Sequence, residues 1–456
     1  MTYLEYFENL KGKRVGVFGI GISNRPLIDL LLSAGALVTA GDKKTYEQFP
    51  DLADELTKKG VKLVLGDDFP DKMEGEILFR TPGLRPDIPV ISKLVSEGSV
   101  LTSEMETFFE LCPAEIIAVT GSDGKTTTTT LISEMLKKEG YTVHLGGNIG
   151  KPLLPEISKI SADDKVVVEL SSFQLMTMKK SPHIAVMTNL SPNHLDMHKD
   201  YQEYIDAKKN IMLYQGEDDI LISNSESEET KKAGETAKGE WRSFSSKNPA
   251  AICIKDGYIC FKDEKILAVD SIKIPGKHNV ENYMAAIGAV YGMVSMESIL
   301  HVAENFGGVA HRIEFVREFE GVKYYNSSID SSPNRTKNTL SVFPEKVVMI
   351  SGGKDKGIPY DEIGPEIIEH VKVLILIGAT SVAIENAVLK AYKDMKIEPC
   401  VKILKAKTYE EAVNLAKDNA VKNDCVVLSP ASTSFDMFKN FEERGECFKK
   451  LVMQLH

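Results

Sequence analysis

Gly121-Ser122-Asp123-Gly124-Lys125-Thr126 ends the apolar run Ile116-Ile117-Ala118-Val119-Thr120 and opens a threonine run, Thr126 to Thr130. That run leads into Leu131-Ile132-Ser133-Glu134-Met135-Leu136. The pattern predicts a buried strand, a tight turn and a helix. Such a turn presents backbone N–H groups at a helix N-terminus, where phosphate oxygens bind. Lys125 is expected to reach the outer phosphates, and the Thr126 hydroxyl to take Mg²⁺. The match to G-x-x-x-x-G-K-[ST] is incomplete. Val119 stands where the first glycine falls, and Gly121 comes two residues later, leaving G-x-x-G-K-T. Gly-Lys-Thr alone fits a glycine turn with a solvated lysine equally well; the strand before and helix after favour a nucleotide site.

Other residues with chemistry lie at the ends of apolar runs. Glu169 closes Lys165-Val166-Val167-Val168, placed either to hold a metal ion or to cap a helix. Ile184 to Asn189 leads into Asn193-His194-Leu195-Asp196-Met197-His198, whose histidines and aspartate could bind metal or substrate. A following helix carries Tyr204, Ala207, Lys208 and Lys209, and one lysine is expected to point back to the site. Gly146-Gly147-Asn148-Ile149-Gly150 is read as a polar loop after a strand at Tyr141-Thr142-Val143. Asn279 and Asn282, three apart, share one side of the first turn of an Ala-rich helix, Tyr283 to Val290.

The elements that position these groups follow an α/β pattern. Arg14–Phe18 reads as a strand, Gly19-Ile20-Gly21 as a turn and Arg25 to Ala34 as a helix. A strand at Ala36–Ala40 ends near Asp42. This is close to the dinucleotide fingerprint, with Asn24 at the third glycine. G-x-G alone also serves plain packing. Strands at Val61–Leu65 and Ile77–Arg80 follow, the latter running into Thr81-Pro82-Gly83-Leu84, where ligands of open α/β sheets bind. Residues 1–110 are thus expected to hold an anionic ligand such as a nucleotide diphosphate. Residues 216–250 read as periphery, followed by a hairpin of Ala251–Ile254 and Tyr258–Phe261. From His311 onward, strands at Lys346–Ile350, Val373–Ile377 and Cys425–Leu428 alternate with helices. Their ends carry Ser351 to Gly357, Gly378 to Ser381 and Ser429 to Asp436, expected at one sheet edge.

The chain has 456 residues, room for about three domains of ~150 residues. A hydrophobic content of 43% with 27% charged residues is that of a globular protein. The net charge of -11 argues against general binding to nucleic acid or anionic membranes. Six scattered cysteines form no C-x-x-C pair, so reduced thiols are expected. The acidic N-terminus lacks a signal-peptide pattern, and no apolar run approaches the ~20 residues of a membrane span. A cytoplasmic location is expected.

Together these markers resemble the Mur ligase family of peptidoglycan synthesis. The residues carrying the resemblance are Thr120 to Thr126, Gly147-Asn148-Ile149-Gly150, Glu169 to Leu175, Asn193-His194-Leu195-Asp196, Gly276 to Asn282, His311-Arg312 and Ser429 to Gly445. The Ser171-Ser172-Phe173-Gln174-Leu175 run and the C-terminal stretch resemble the D-glutamate-adding members in particular. The implied α/β fold has three domains. These are a Rossmann-like N-terminal domain for the UDP substrate (1–110), a central P-loop-type ATP-binding domain with a parallel sheet (111–309) and a Rossmann-like C-terminal domain for the amino acid (310–456).

The resemblance implies ATP-dependent addition of D-glutamate to UDP-N-acetylmuramoyl-L-alanine through an acyl phosphate, by a monomer with no nucleic-acid or membrane partner. It implies ATP contacts from Thr120, Gly121, Ser122, Asp123, Gly124, Lys125, Thr126, Thr127, Asn282 and Arg312. It implies two Mg²⁺ ions, with Thr126, Glu169, His194 and a carbamylated Lys208 as ligands and Lys209 as the fallback lysine. Lys125, Glu169, His194 and Lys208 are then the catalytic set. Gly19, Ile20, Gly21, Asp42, Thr81, Pro82, Gly83, Leu84, Asn148 and His194 would hold the UDP substrate, and Lys356, Ser434 and Phe441 the D-glutamate.

One stretch departs from the family. Where members often carry Asn-Asp-Ser-Lys-Ala-Thr-Asn, this chain has Asn326-Ser327-Ser328-Ile329-Asp330-Ser331-Ser332. Asp330, Ser331 and Arg335 are the candidates to compensate. Two alternatives stay open: another amide ligase of the superfamily, or a nucleotide-binding protein without ligase activity. A folyl-polyglutamate synthase is disfavoured by the UDP-like first domain.

Overall fold

The structure is a computed structural model that describes residues 1–21, 23–191, 197–355 and 357–456. The chain divides into two units, Met1–Ser271 with Val280–Val302, and Ile272–Asn279 with Ala303–His456.

The first unit contains two sheets. The elements of the first are α1 (Tyr3–Glu8), β1 (Arg14–Phe18), α2 (Asn24–Ser33), β2 (Leu37–Asp42), α3 (Pro50–Lys58), β3 (Lys62–Leu65), β4 (Ile77–Arg80), α4 (Pro89–Ser96), β5 (Val100–Thr102) and α5 (Glu104–Leu111). The strands run in the order β3-β2-β1-β4-β5, all parallel. Successive side chains of β1 leave on opposite faces. Val15 and Val17 pack with Leu27, Ile28 and Leu31 of α2, while Phe18 packs with Phe69, Met73 and Ile91. Both faces are therefore covered, which is why these strands read as apolar runs.

The second sheet uses β6 (Glu115–Thr120), α6 (Lys125–Glu139), β7 (Val143–Gly147), β8 (Lys165–Glu169), α7 (Ser172–Leu175), β9 (Ile184–Met187), α8 (Tyr201–Leu213), β10 (Ile220–Asn224), α9 (Glu228–Glu235), β11 (Glu240–Ser245), β12 (Ile252–Lys255), β13 (Tyr258–Phe261) and β14 (Glu264–Ala268). α10 (Lys277–Val290) and α11 (Met296–Asn305) follow. The order is β14-β13-β12-β11-β10-β9-β6-β8-β7, parallel from β7 to β12, with β13 and β14 antiparallel.

Two sequence expectations are corrected. Residues 216–250 are not periphery: they supply β10, α9 and β11 to this sheet. The polar run Ser225 to Lys232 hid them, because α9 buries only Thr230, Ala233 and Gly234. Gly146 and Gly147 belong to β7, paired with Val168 and Glu169, rather than to a loop after it. The expected hairpin is present as β12 and β13.

The second unit holds β15 (Glu314–Phe319), β16 (Val322–Asn326), α12 (Pro333–Leu340), β17 (Val347–Ser351), α13 (Ile363–His370), β18 (Val371–Leu376), α14 (Ser381–Met395), β19 (Lys402–Lys405), α15 (Tyr409–Asn419), β20 (Cys425–Leu428) and α16 (Phe441–Met453). Its sheet order is β15-β16-β20-β17-β18-β19, with β15 alone antiparallel. Met349 and Val348 of β17 pack into different cores, again covering both faces. Among the described residues, no helix is long and apolar enough to cross a membrane.

Candidate active site

β6 lies between β8 and β9, so its C-terminal end opens beside theirs. The turn after it is shaped by Gly121 (φ +152°) and Gly124 (φ +79°), conformations that L side chains avoid. A Cβ on Gly121 would overlap Thr188 Oγ1, and one on Gly124 would overlap Asn282 Oδ1. Both glycines are therefore required by close neighbours as well as by backbone angle. Gly124 caps α6 without a side-chain acceptor, which leaves first-turn N–H groups for an anion.

The loop is held from β9. Ser122 N donates to Asn189 O (2.8 Å), Asp123 N to Asn189 Oδ1 (3.0 Å), and Thr188 Oγ1 to Asp123 O (2.6 Å). Ser122 Oγ pairs with the hydroxyl of Tyr204 on α8 at 2.8 Å. Lys125 Nζ folds onto Ser122 O (2.8 Å), and Thr120 Oγ1 donates to Leu170 O (2.8 Å). Thr127 is buried in the first turn of α6. Thr128 Oγ1 reaches Asn282 Oδ1 at 3.3 Å, bringing α10 against the same loop. The sequence did not single out Asn189 as a loop anchor, although its place at the end of the strand beside β6 is the signal for it.

Thr126 Oγ1 donates to Glu169 Oε2 at 2.7 Å, and Asn148 Nδ2 donates to Glu169 Oε1 at 2.8 Å. A hydroxyl and a buried carboxylate held together beside a phosphate loop are hard oxygen donors of the kind Mg²⁺ takes. Lys208 and Lys209 part company here. Lys208, 1% exposed, donates to Thr120 Oγ1 (3.1 Å) and Gly121 O (2.8 Å), while Lys209 pairs with Glu229 at 3.4 Å. Burial and then the nearby charge of Lys125 drive the Lys208 amine well below the usual lysine range. His194, with the rest of 192–196, lies outside the described residues. His198 is buried, bonded to Ser172 Oγ at 2.9 Å and stacked on Phe173.

The first sheet builds a second site-like end. Ile20 N donates to Asp42 Oδ2 (2.8 Å), and Asn24 Nδ2, from the place of the fingerprint's third glycine, donates to Gly19 O (2.9 Å). A Cβ on Gly19 (φ +90°) would press on Thr81 Cγ2. Gly19, Ile20, Asp42 and Thr81 are thus brought together, with Leu84 N turned onto Thr81 O. Pro82 and Gly83 complete that loop, and a Cβ added to Gly21 would meet no described residue beyond its chain neighbours within 4 Å.

Within the second unit, the loops after β17, β18 and β20 meet as expected. Lys354 N and Thr433 O bond at 2.9 Å, Gly353 N donates to Thr380 Oγ1 (3.0 Å), and Ser432 Oγ pairs with Thr380 Oγ1 (2.8 Å). Ser434 is buried there. Phe441 opens α16 with its ring edge-to-face with His311, next to Arg312. Lys356 lies outside the described residues. The departing stretch is largely committed to internal bonds. Ser327 Oγ pairs with Thr339 (3.3 Å), and Asp330 Oδ2 accepts from Ser429 Oγ (2.7 Å) with its carboxyl pushed up by burial. Arg335 Nη1 reaches Ile329 O at 3.0 Å.

Known proteins share this organisation. Residues 119–290 match the family model of the Mur ligase middle domain, and residues 311–432 that of the Mur ligase, glutamate ligase domain. The UDP-N-acetylmuramoylalanine--D-glutamate ligase of Ruminiclostridium cellulolyticum is 53% identical over 99% of both chains. Its namesakes from Clostridium botulinum, over 99% of both chains, and Acetivibrio thermocellus, over 98% of both, are each 50% identical. In fold, the chain is similar to the UDP-N-acetylmuramate-alanine ligase of Thermotoga maritima (TM-score 0.58, 17% identity, 97% of this chain and 99% of that one). It is also similar to a pseudomurein peptide ligase type C of Methanothermus fervidus (TM-score 0.52, 18% identity, 98% of this chain and 100% of that one). With half its residues shared end to end with these relatives, and with the shortened phosphate loop built as an intact site, the chain belongs to the Mur ligase family.

Proposed function

We propose that the protein adds D-glutamate to UDP-N-acetylmuramoyl-L-alanine at the expense of ATP, the ligase for which its relatives are named. The observation that carries this reading is the convergence of Lys125, Thr126, Glu169 and Lys208 on one loop. Its working division is residues 1–110 for the UDP substrate, 111–309 for ATP and 310–456 for the amino acid, in a monomeric protein of the cytoplasm.

Phosphoryl transfer is mostly positioning and charge neutralisation. In this proposal the N–H groups at the start of α6 and the ammonium of Lys125 hold the β- and γ-phosphates, while Asn282 and Arg312 serve the nucleoside. Thr126 and Glu169 would hold Mg²⁺, which would neutralise phosphate charge. Asn148 keeps the Glu169 carboxylate turned to that task. The γ-phosphoryl group passes to the carboxylate of the muramoyl-alanine, giving an acyl phosphate and ADP. The neutral amine of D-glutamate then attacks the acyl carbon. A C–N bond forms, the C–O bond to phosphate breaks, and the amine proton leaves. Ser434, Phe441 and Lys356 are assigned to the glutamate, and His194 to a second metal ion.

Lys208 is suited to carbamylation because only a neutral amine adds to CO₂. The N–C bond then forms with loss of a proton, turning a cation into a carboxylate that fits a metal site. Lys208→Ala is expected to lose turnover and regain part of it with short carboxylic acids; an unaffected variant rules out a carbamate at Lys208 and leaves Lys209 or none.

A ligase of different amino-acid specificity, or a protein without ligase activity, gains its support from Ser327 and Ile329, which bring neither carboxylate nor cation to the second unit. Phosphate release from ATP with UDP-N-acetylmuramoyl-L-alanine and each candidate amino acid separates the three. Release requiring D-glutamate is expected. Release with another amino acid moves the assignment, and no release with any of them removes it.

A further inference from the structure

Two arginines bracket the Thr81–Leu84 loop, and neither is spent on a simple surface pair. Arg80, 1% exposed, donates through Nη1 to Pro82 O (3.3 Å) and Leu84 O (3.1 Å), gripping the loop itself. Through Nη2 it donates to Phe173 O and Thr177 Oγ1, both at 2.8 Å, on and just after α7 of the second sheet. Arg85, on the other flank, uses its whole fork. Nε and Nη2 meet the two oxygens of Asp87 (2.8 and 2.9 Å), Nη1 and Nη2 meet the two oxygens of Glu203 on α8 (2.9 and 2.8 Å), and Nη1 also reaches Met197 O (2.8 Å). Lys199 closes the group on Asp87 at 2.8 Å. Bidentate, networked arginine contacts fix geometry in a way that isolated exposed ion pairs do not. The Arg85 guanidinium holds the Glu203 carboxyl down at about 2, so the pair stays ionised across the working range of pH.

The helix that Arg85 grips is also a wall of the phosphate loop. One residue after Glu203, Tyr204 holds Ser122, and one turn further Lys208 holds Gly121.

We propose that Arg85 and Arg80 are positioning residues that set the first sheet's ligand loop in register with the phosphate loop, by fastening Thr81–Leu84 to α8 and α7. This rests on the reading that Thr81–Leu84 holds the UDP part of the substrate. The arginines do not touch reacting atoms; they fix the distance over which the substrate carboxylate must be presented to the γ-phosphate, and misplacement on the ångström scale is costly in such reactions.

The test uses the full-length protein as wild type, Arg85→Met, Arg85→Lys, Glu203→Gln and the double variant Arg85→Met/Glu203→Gln. Arg85→Met is expected to lower kcat at least 10-fold and raise KM for UDP-N-acetylmuramoyl-L-alanine at least 10-fold, with ADP affinity by calorimetry within threefold of wild type. Arg85→Lys, which keeps the charge but cannot form the fork, is expected to fall between. The double variant should be no worse than the worse single, because the two residues act through each other. Kinetic constants within twofold of wild type, a fall in melting temperature alone, or single effects that multiply in the double variant would each overturn the proposal. If the wild type shows no turnover, the ligase reading fails separately, and UDP calorimetry decides. At least 10-fold weaker UDP binding by Arg85→Met sustains the clamp. Equal binding, or no binding by wild type, overturns it.

Discussion

β1 runs into α2 through a turn that starts at Gly19, and β6 runs into α6 through a turn that starts at Gly121. In both, a glycine at positive φ lets the chain double back beside a neighbouring parallel strand, and in both the next segment is a helix start. The equipment differs. At the first turn, a carboxylate takes a backbone N–H (Asp42 to Ile20), and an asparagine amide closes the loop on itself. At the second, the neighbouring strand end supplies Asn189 as the brace, and the helix brings Lys125 and a hydroxyl facing Glu169. One topology thus yields two differently equipped turns, one braced by a carboxylate and an amide and the other carrying a lysine and a hydroxyl that faces a carboxylate. The hydroxyl–carboxylate pair and the lysine make the difference, and the glycines do not.

The largest break in that comparison is Lys125→Ala. Removing the only lysine of either turn is expected to lower phosphate release by at least about 10³-fold, roughly 4 kcal/mol of transition-state stabilisation. Activity near wild type would make the two turns chemically equivalent. Next are the two glycines. Gly121→Ala places a methyl into Thr188 Oγ1, which is already bonded to Thr120 O and Asp123 O. It should cost on the order of 3 kcal/mol or more by urea unfolding, whereas the methyl of Gly19→Ala comes, among the described residues, no closer than 2.9 Å to its nearest neighbour, Thr81 Cγ2, and should cost about 1–2 kcal/mol. Equal costs would mean that backbone angle, not the neighbour, sets the requirement. The smallest stability effect belongs to Gly21→Ala, whose added methyl has no atom of the described residues beyond its chain neighbours within 4 Å. It should unfold within about 0.5 kcal/mol of wild type. A rise of about 10-fold in KM for the UDP substrate would then report how closely the ligand approaches; an unchanged KM would move the ligand away from this turn.

The strands bounded by apolar runs and turn glycines were legible to the residue: β1, β4, β8 and β20 begin and end where the sequence places them. β10 and β11 were hidden because α9 between them is polar on most of its surface. β7 extends beyond what its sequence indicates because its last two residues are glycines, which signal loops unless a partner strand such as β8 holds them. Helical spacing put Lys208 and Lys209 on one helix without choosing between them. Tertiary packing separates them, since Lys208 shares the buried face of Tyr204 four residues earlier. The bracing by Asn189, Arg80 and Arg85 depends on contacts between segments far apart in the chain, and a single sequence does not announce such pairings.

The hydrogen bond from Thr128 to Asn282 spans 154 positions of the chain. At synthesis rates of about 5–20 residues per second, that wall of the phosphate loop reaches the growing protein roughly 8–30 seconds after the loop itself has been made. The strands on either side of β6 also follow it in the chain. During that interval the glycine turn, the lysine and the threonine run have emerged without all of their partners. On the ribosome, nucleotide affinity should therefore arrive late, after α10 rather than after the loop that gives the site its chemistry.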